Sequence, residues 1–202
     1  EDVAYKLVVD ASGNVYVSGW SIGLGTNYDY ATIKYNSAGI QQWVRRYNGT
    51  ANAMDFVGSL AVDAGGNVYV TGQTAEAGTR NDYTTIKYNS AGELKWLKKY
   101  NGTGGVDDAA GSVAVDIAGN VYVTGASMGN GTNYDYATIK YNSLGFQLWV
   151  ARYNGPANVF DGANSLALDA SGNVYVTGRS TGIGTRYDYA TIKYNAAGIQ
   201  QW

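Results

Sequence analysis

The sequence predicts an all-β chain, a propeller-type array of four-stranded antiparallel blades, and three observations predict it. First, the chain repeats every 53 residues without a slip in register: Gly13, Gly66, Gly119 and Gly172 each open the string Gly-Asn-Val-Tyr-Val, and Trp43, Trp96, Trp149 and Trp202 keep the same step. Second, each copy holds four short strand-like runs separated by turn signals, and no stretch sustains a 3.6-residue period. Third, the second run of each copy carries no charge on either face, as a sheet packed between two neighbours requires. A β-solenoid also stacks repeats, but its coils are usually shorter and its rungs parallel. A four-stranded unit of about 50 residues has the length of a propeller blade.

The repeat divides the 202 residues into blades at approximately 1–53, 54–106, 107–159 and 160–202, the last lacking the counterpart of Val44 through Ala53. Within the second copy, the first strand is expected at Ser59 to Val62, where small residues suit the converging centre of a propeller. Asp63, Ala64, Gly65 and Gly66 form a tight turn into the second strand, Asn67 to Thr71, in which Val68 and Val70 oppose Tyr69 and Thr71. A Gly-rich loop, Gln73 to Asp82, leads to the third strand at Tyr83 to Tyr88. Asn89, Ser90, Ala91 and Gly92 then turn the chain into the fourth, Leu94 to Tyr100. Asp or Asn early and Gly late is what a type I turn followed by a left-handed residue demands.

Composition excludes several kinds of chemistry. Cys and His are both absent, so no disulfide framework, thiolate metal site, histidine base or cysteine nucleophile exists. A net charge of -2 argues against a nucleic-acid groove and a polybasic membrane patch. No apolar run approaches the roughly 18 residues of a membrane-spanning helix, and no secretory leader pattern is present.

The strings Val62-Asp-Ala-Gly-Gly-Asn-Val-Tyr-Val-Thr-Gly72 and Tyr30-Ala-Thr-Ile-Lys-Tyr-Asn36 resemble the SBBP family of β-propeller repeats. The resemblance covers all four copies. It implies a propeller and an extracellular or cell-surface location, it brings no catalytic residue set, and seven blades are the ring expected of such proteins. Three arrangements suit four copies: part of a longer array, two chains sharing an eight-bladed ring, or a closed four-bladed ring. Self-association through open blade ends is therefore the expected partnership.

Carboxylates are the only metal-binding or catalytic anions available, and twelve of the thirteen Asp fall on three repeated positions. The turn set, Asp10, Asp63, Asp116 and Asp169, is expected to cap its own loop amides. The loop set, Asp29, Asp82, Asp135 and Asp188, and the inter-blade set, Asp2, Asp55, Asp108 and Asp161, are placed on the opposite rim. Both are expected to cap loop amides or to pair with Lys87 and its counterparts. The sharper alternative is calcium held by these eight rim carboxylates, Asp2, Asp55, Asp108 and Asp161 foremost, although no Asp-x-Asp-x-Asp-Gly run supports it. No other cofactor is expected.

Eighteen of the 19 Tyr also repeat, mostly as inter-blade packing residues. Tyr28, Tyr134 and Tyr187 differ, because they sit in the Gly-rich loop beside Asp29, Asp135 and Asp188, where a ring could stack on a sugar. Asn81 stands at the same position in the second copy, and Trp20 stands where other copies have Gln73, Ala126 and Arg179. The symmetric spread of Asp argues against an active site, which needs carboxylates in unlike environments. The functional expectation is a non-catalytic extracellular or cell-surface module acting as scaffold, self-assembling or ligand-binding platform. Its rivals are a carbohydrate-binding propeller using the Tyr and Asp loops, and a glycan-cleaving enzyme using rim Asp.

Overall fold

Turn chemistry sets where the strands begin. Asp63 accepts the backbone N–H groups of Gly65 and Asn67 on one oxygen, and the Asn67 amide and Tyr69 hydroxyl on the other, at 2.8–2.9 Å. Gly66 follows with a φ of +73°, a left-handed conformation that costs glycine nothing. Asp10, Asp116 and Asp169 repeat the arrangement with Tyr16, Tyr122 and Tyr175. At the other turn Asn89 accepts from the N–H groups of Ala91 and Glu93. Both expected turns are therefore present.

The computed structural model describes residues 1–202 and contains strands and no helix. The first sheet comprises β1 (Asp2–Val9), β2 (Val15–Ile22), β3 (Tyr28–Tyr35) and β4 (Gln41–Tyr47). The second comprises β5 (Phe56–Val62), β6 (Val68–Ala75), β7 (Asn81–Tyr88) and β8 (Leu94–Tyr100). The third comprises β9 (Asp108–Val115), β10 (Val121–Met128), β11 (Tyr134–Tyr141) and β12 (Gln147–Tyr153). The fourth has three strands, β13 (Asp161–Leu168), β14 (Val174–Ser180) and β15 (Asp188–Tyr194), with Gln200 bridging back to Tyr194. Within each sheet the strands pair antiparallel in sequence order.

The first two strands of each copy run further than their residue pattern indicates. β5 begins at Phe56 rather than Ser59, and β6 continues through Gly72 to Ala75. A β-bulge between Val57 and Ser59 absorbs one residue and lets pairing resume beyond it. Gly72 sits against that bulge, where a Cβ would lie 2.1 Å from the Phe56 carbonyl oxygen. What looked like a loop-forming glycine is thus a close backbone approach inside a ladder.

Sheets stack through their first strands, β1 on β5, β5 on β9 and β9 on β13. Val68, Tyr69, Val70 and Thr71 of β6 are all fully buried, so both faces of a central blade are interior. The Thr71 hydroxyl meets that of Thr85 at 2.9 Å, which satisfies a polar pair inside the sheet. On the outer strand, Trp96 Nε1 donates to the Ser143 carbonyl of the next blade at 3.1 Å. Its ring covers Gly145, where a Cβ would come within 2.9 Å of it. Trp43 and Trp149 repeat the bond to Ser90 and Ala196 at 3.2 and 3.1 Å.

The four sheets form an open stack, which corrects the closed four-bladed ring among the expected arrangements. On the outward face of the first sheet Leu7 is 61% exposed, whereas its counterpart Leu60 is 6% exposed. On the outward face of the fourth Tyr189 is 91% exposed, against 0–1% for Tyr30, Tyr83 and Tyr136.

Candidate functional site

At the rim where the inner strands begin, a groove of about 680 Å³ crosses the stack. Residues of all four sheets line it, from Tyr5 and Lys6 on β1 to Asn164 on β13. The opposite rim also has recesses, one of about 490 Å³, between the turns at Asp63 and Asp116. Similar recesses recur between the turns of the first and second blades, and of the third and fourth. They are the gaps any stacked turns leave. The groove has no such periodic copies.

Seven of the sixteen residues that line the groove lie at positions where every copy differs. Among the positions that all four copies hold, only five carry a different residue in every copy, while Arg45/Lys98/Ala151 on the outer strand differ in the three copies that have them. The five are Glu1/Met54/Asp107/Phe160, Val3/Phe56/Ala109/Gly162, Trp20/Gln73/Ala126/Arg179, Ile22/Ala75/Met128/Thr181 and Leu24/Ala77/Asn130/Ile183. All belong to this rim, and the first three sets supply much of the groove wall. The opposite rim keeps Asp10, Gly13, Asn14 and Tyr16 unchanged in every copy.

Two aromatic groups flank the groove. Near the first blade, Trp20 lies between Tyr5 and Phe56 at 5.4 and 5.2 Å, and Tyr28 approaches Phe56 at 6.1 Å. Near the fourth, Phe160 packs against Tyr134 and Tyr187 at 5.5 and 6.2 Å. The Arg179 guanidinium lies over Phe160 and Tyr187 at 4.8 and 5.3 Å. Between them Asp107 is held by Arg80 at 3.6 Å and by the Asn81 amide at 3.0 Å.

The structure separates the Tyr and Asp that the loop pattern groups together. Tyr134 lines the groove, while Tyr28 and Tyr187 belong to its aromatic flanks. Asp29, Asp82 and Asp135 are buried behind them, each accepting a hydroxyl from Thr26, Thr79 and Thr132 at 2.8–3.1 Å. Adjacent strand residues point to opposite faces, so a Tyr turned to the groove turns its following Asp away. The second oxygen of each, Oδ1, is buried without a protein donor. Asp188 takes the Thr185 hydroxyl at 2.7 Å and is exposed on the last blade. Lys87 does not pair with Asp82: it reaches the Ser143 carbonyl at 3.2 Å and covers the Tyr69 ring, on the opposite rim. The cation that pairs with this loop set is Arg152, 2.9 Å from Asp135.

The inter-blade carboxylates tie the chain between blades. Asp55 accepts the N–H of Gly49 at 2.7 Å and that of Ala75 at 2.8 Å. Asp108 repeats this with Gly102 and Met128, and Asp161 with Gly155 and Thr181. Asp2 accepts the Ser21 hydroxyl. Burial pushes Asp55 up to about 6 against the opposing pull of its two amide donors, with nearby Asp29 and Glu76 adding to the rise. Calcium takes six to eight oxygens. Asp55, Asp108 and Asp161 are committed to amide donors and no place gathers three acidic side chains, so the donor set does not fit that ion.

Stacked four-stranded blades with converging first strands define a propeller-type repeat array. Residues 42–77 match the SBBP family, a β-propeller repeat, and span β4 through β6 and the loops that join them. A stretch of 137 residues is 32% identical to the regulatory protein FlaEY of Caulobacter vibrioides, covering 60% of this chain and 13% of that protein. Among solved structures, a PL25 ulvan lyase bound to -[GlcA(1-4)Rha3S]- aligns with a TM-score of 0.52 and 13% identity, over 96% of this chain and 56% of the lyase. A eukaryotic initiation factor aligns at 0.45 with 5% identity, over 98% of this chain and 54% of that one. The chain thus spans little more than half of the solved structures it matches, and a small part of FlaEY.

The lyase corrects the expectation of a non-catalytic chain. A polysaccharide lyase aligns with this fold over 56% of its length, so the fold does not exclude catalysis. The reasoning failed because it sought asymmetry among the Asp, whereas the asymmetry of this molecule lies at the five divergent rim positions.

Proposed function

We propose that this array is an extracellular or cell-surface β-propeller module whose divergent rim binds a polysaccharide chain. One observation carries the reading: among the positions that all four copies hold, complete divergence is confined to the rim that holds the groove. Aromatic faces beside Asn81, Gln73 and Asn164 match a sugar's alternation of apolar ring faces and hydroxyls. The lyase's polysaccharide adds support by analogy of fold. A glycan array probed with the intact chain tests the reading, followed by titration of the best hit into Tyr134→Ala and Phe160→Ala. Each substitution weakens binding about tenfold or more, the ~1.4 kcal/mol or more expected of an aromatic anchor. An array without signal above background ends it. Unsaturated products in the same incubations would show that the bound chain is also cleaved.

A second reading rests on the uncovered end faces. Tyr189 and Trp202 correspond to Tyr136 and Trp149, which dock on the following blade. Leu7 and Gly39 correspond to Leu60 and Gly92, which receive the preceding one. Tail and head are therefore complementary, and a second copy of the chain fits against either.

A further inference from the structure

Two cations in the groove have no carboxylate partner. Lys6 lies beside the Tyr5 ring at 5.4 Å, and Arg179 is stacked on Phe160 and Tyr187. Neither belongs to an ion pair or donates a side-chain hydrogen bond within the protein, whereas Lys99, Arg80 and Arg152 each pair with an acid. The groove's own acid, Asp107, is already occupied by Arg80 and Asn81.

Both cations are also departures from the repeat. The counterparts of Lys6 are Ser59, Ser112 and Ser165, and those of Arg179 are Trp20, Gln73 and Ala126. Each puts a positive charge where every other copy is neutral, in a chain whose net charge is -2. The Arg179 guanidinium lies over these rings with no protein acceptor on its N–H groups, which leaves its fork to meet a planar or tetrahedral oxyanion. Lys6, at the other end of the groove, supplies a point charge. A polymer with acidic groups at intervals along its length meets both.

We infer that the polysaccharide is anionic, with its carboxylate or sulfate groups received by Arg179 and Lys6 and its rings lying on the flanking aromatics. This rests on the polysaccharide reading. The test is affinity electrophoresis of the intact chain through gels containing polygalacturonate, dextran sulfate or uncharged dextran, repeated at rising salt. At least one anionic polymer retards the protein, salt weakens the retardation, and dextran leaves it unretarded. The carboxylate and sulfate arms identify which oxyanion is taken. Arg179→Gln and Lys6→Ser each weaken the interaction about tenfold. Arg179→Lys weakens it too, because the bidentate fork is lost although the charge remains. Lys193→Gln removes a cation that covers Tyr175 on the opposite rim, and leaves retardation unchanged.

Equal loss in Lys193→Gln and Arg179→Gln would overturn the inference, since only net charge would then be sensed. Dextran binding that survives Arg179→Gln would overturn the anionic ligand and leave the polysaccharide reading standing. Absence of signal with these polymers and on the glycan array would end both.

Discussion

The same residue type does opposite electrostatic work at two places in each repeat. At the turn, burial of Asp63 tends to raise its pKa but is outweighed by the bonds from Asn67, Tyr69 and Gly65, so the carboxyl titrates below its ordinary range. That contribution to stability is present at neutral pH and is lost as pH falls through the lowered value. Asp55, raised to about 6 by burial, behaves in the reverse sense. Between about pH 4 and 6 the folded state holds its proton more tightly than the unfolded chain, so this group's contribution falls as pH rises. Urea midpoints measured across that window should decline less steeply in Asp55→Asn than in the parent, and an identical slope would refute the assignment. Asp63→Ala should cost about 1–3 kcal/mol at neutral pH, because it strands the Asn67 and Tyr69 donors in a partly buried turn. The turn role was legible from Asp, Gly and Asn spacing alone. The burial of Asp29 and Asp82 was not, because their partners Thr26 and Thr79 sit in a loop whose path the sequence does not reveal.

At the scale of the element, glycines in one copy have very different standing. Gly125 sits against the bulge, with a Cβ position 2.1 Å from the Ala109 carbonyl oxygen and 2.8 Å from the Tyr83 hydroxyl of the preceding blade. Gly65 has an ordinary φ, and its counterparts are Ser12, Ala118 and Ser171. Gly125→Ala should therefore destabilise by more than about 3 kcal/mol, and Gly65→Ala should stay within about 0.5 kcal/mol. Comparable midpoints for the two in chemical denaturation would contradict the bulge account. Trp96→Phe isolates one inter-blade bond: it keeps most of the packing on Gly145, loses the donor to Ser143, and should cost about 1 kcal/mol. Period-two alternation and turn residues located all four strands of each full copy. They ended β6 early because a glycine inside a ladder looks the same in sequence as one that starts a loop.

For the whole molecule, the unbroken 53-residue step made the blade array legible, and the stacked sheets follow it. The groove was not legible by the same means. A search for repetition finds framework residues such as Trp43 and Asp10, while what sets the groove apart is residues that refuse to repeat, Phe160 and Arg179 among them. Its signal was available as complete divergence between copies, of which Trp20 was one visible part. The end faces make a separate prediction: light scattering should give a mass above one chain, and Leu7→Lys with Tyr189→Lys should lower it. A single-chain mass for the parent protein would remove the head-to-tail reading. The central claim, that the divergent rim is the binding face, is tested most directly by following backbone amide resonances during titration with an oligogalacturonate. The account predicts shifts at Gly111, Tyr134, Gly162 and Arg179, with Gly66, Gly119 and Gly172 on the opposite rim unmoved. Shifts centred on those turn glycines, or none on either rim at saturating ligand, would contradict it.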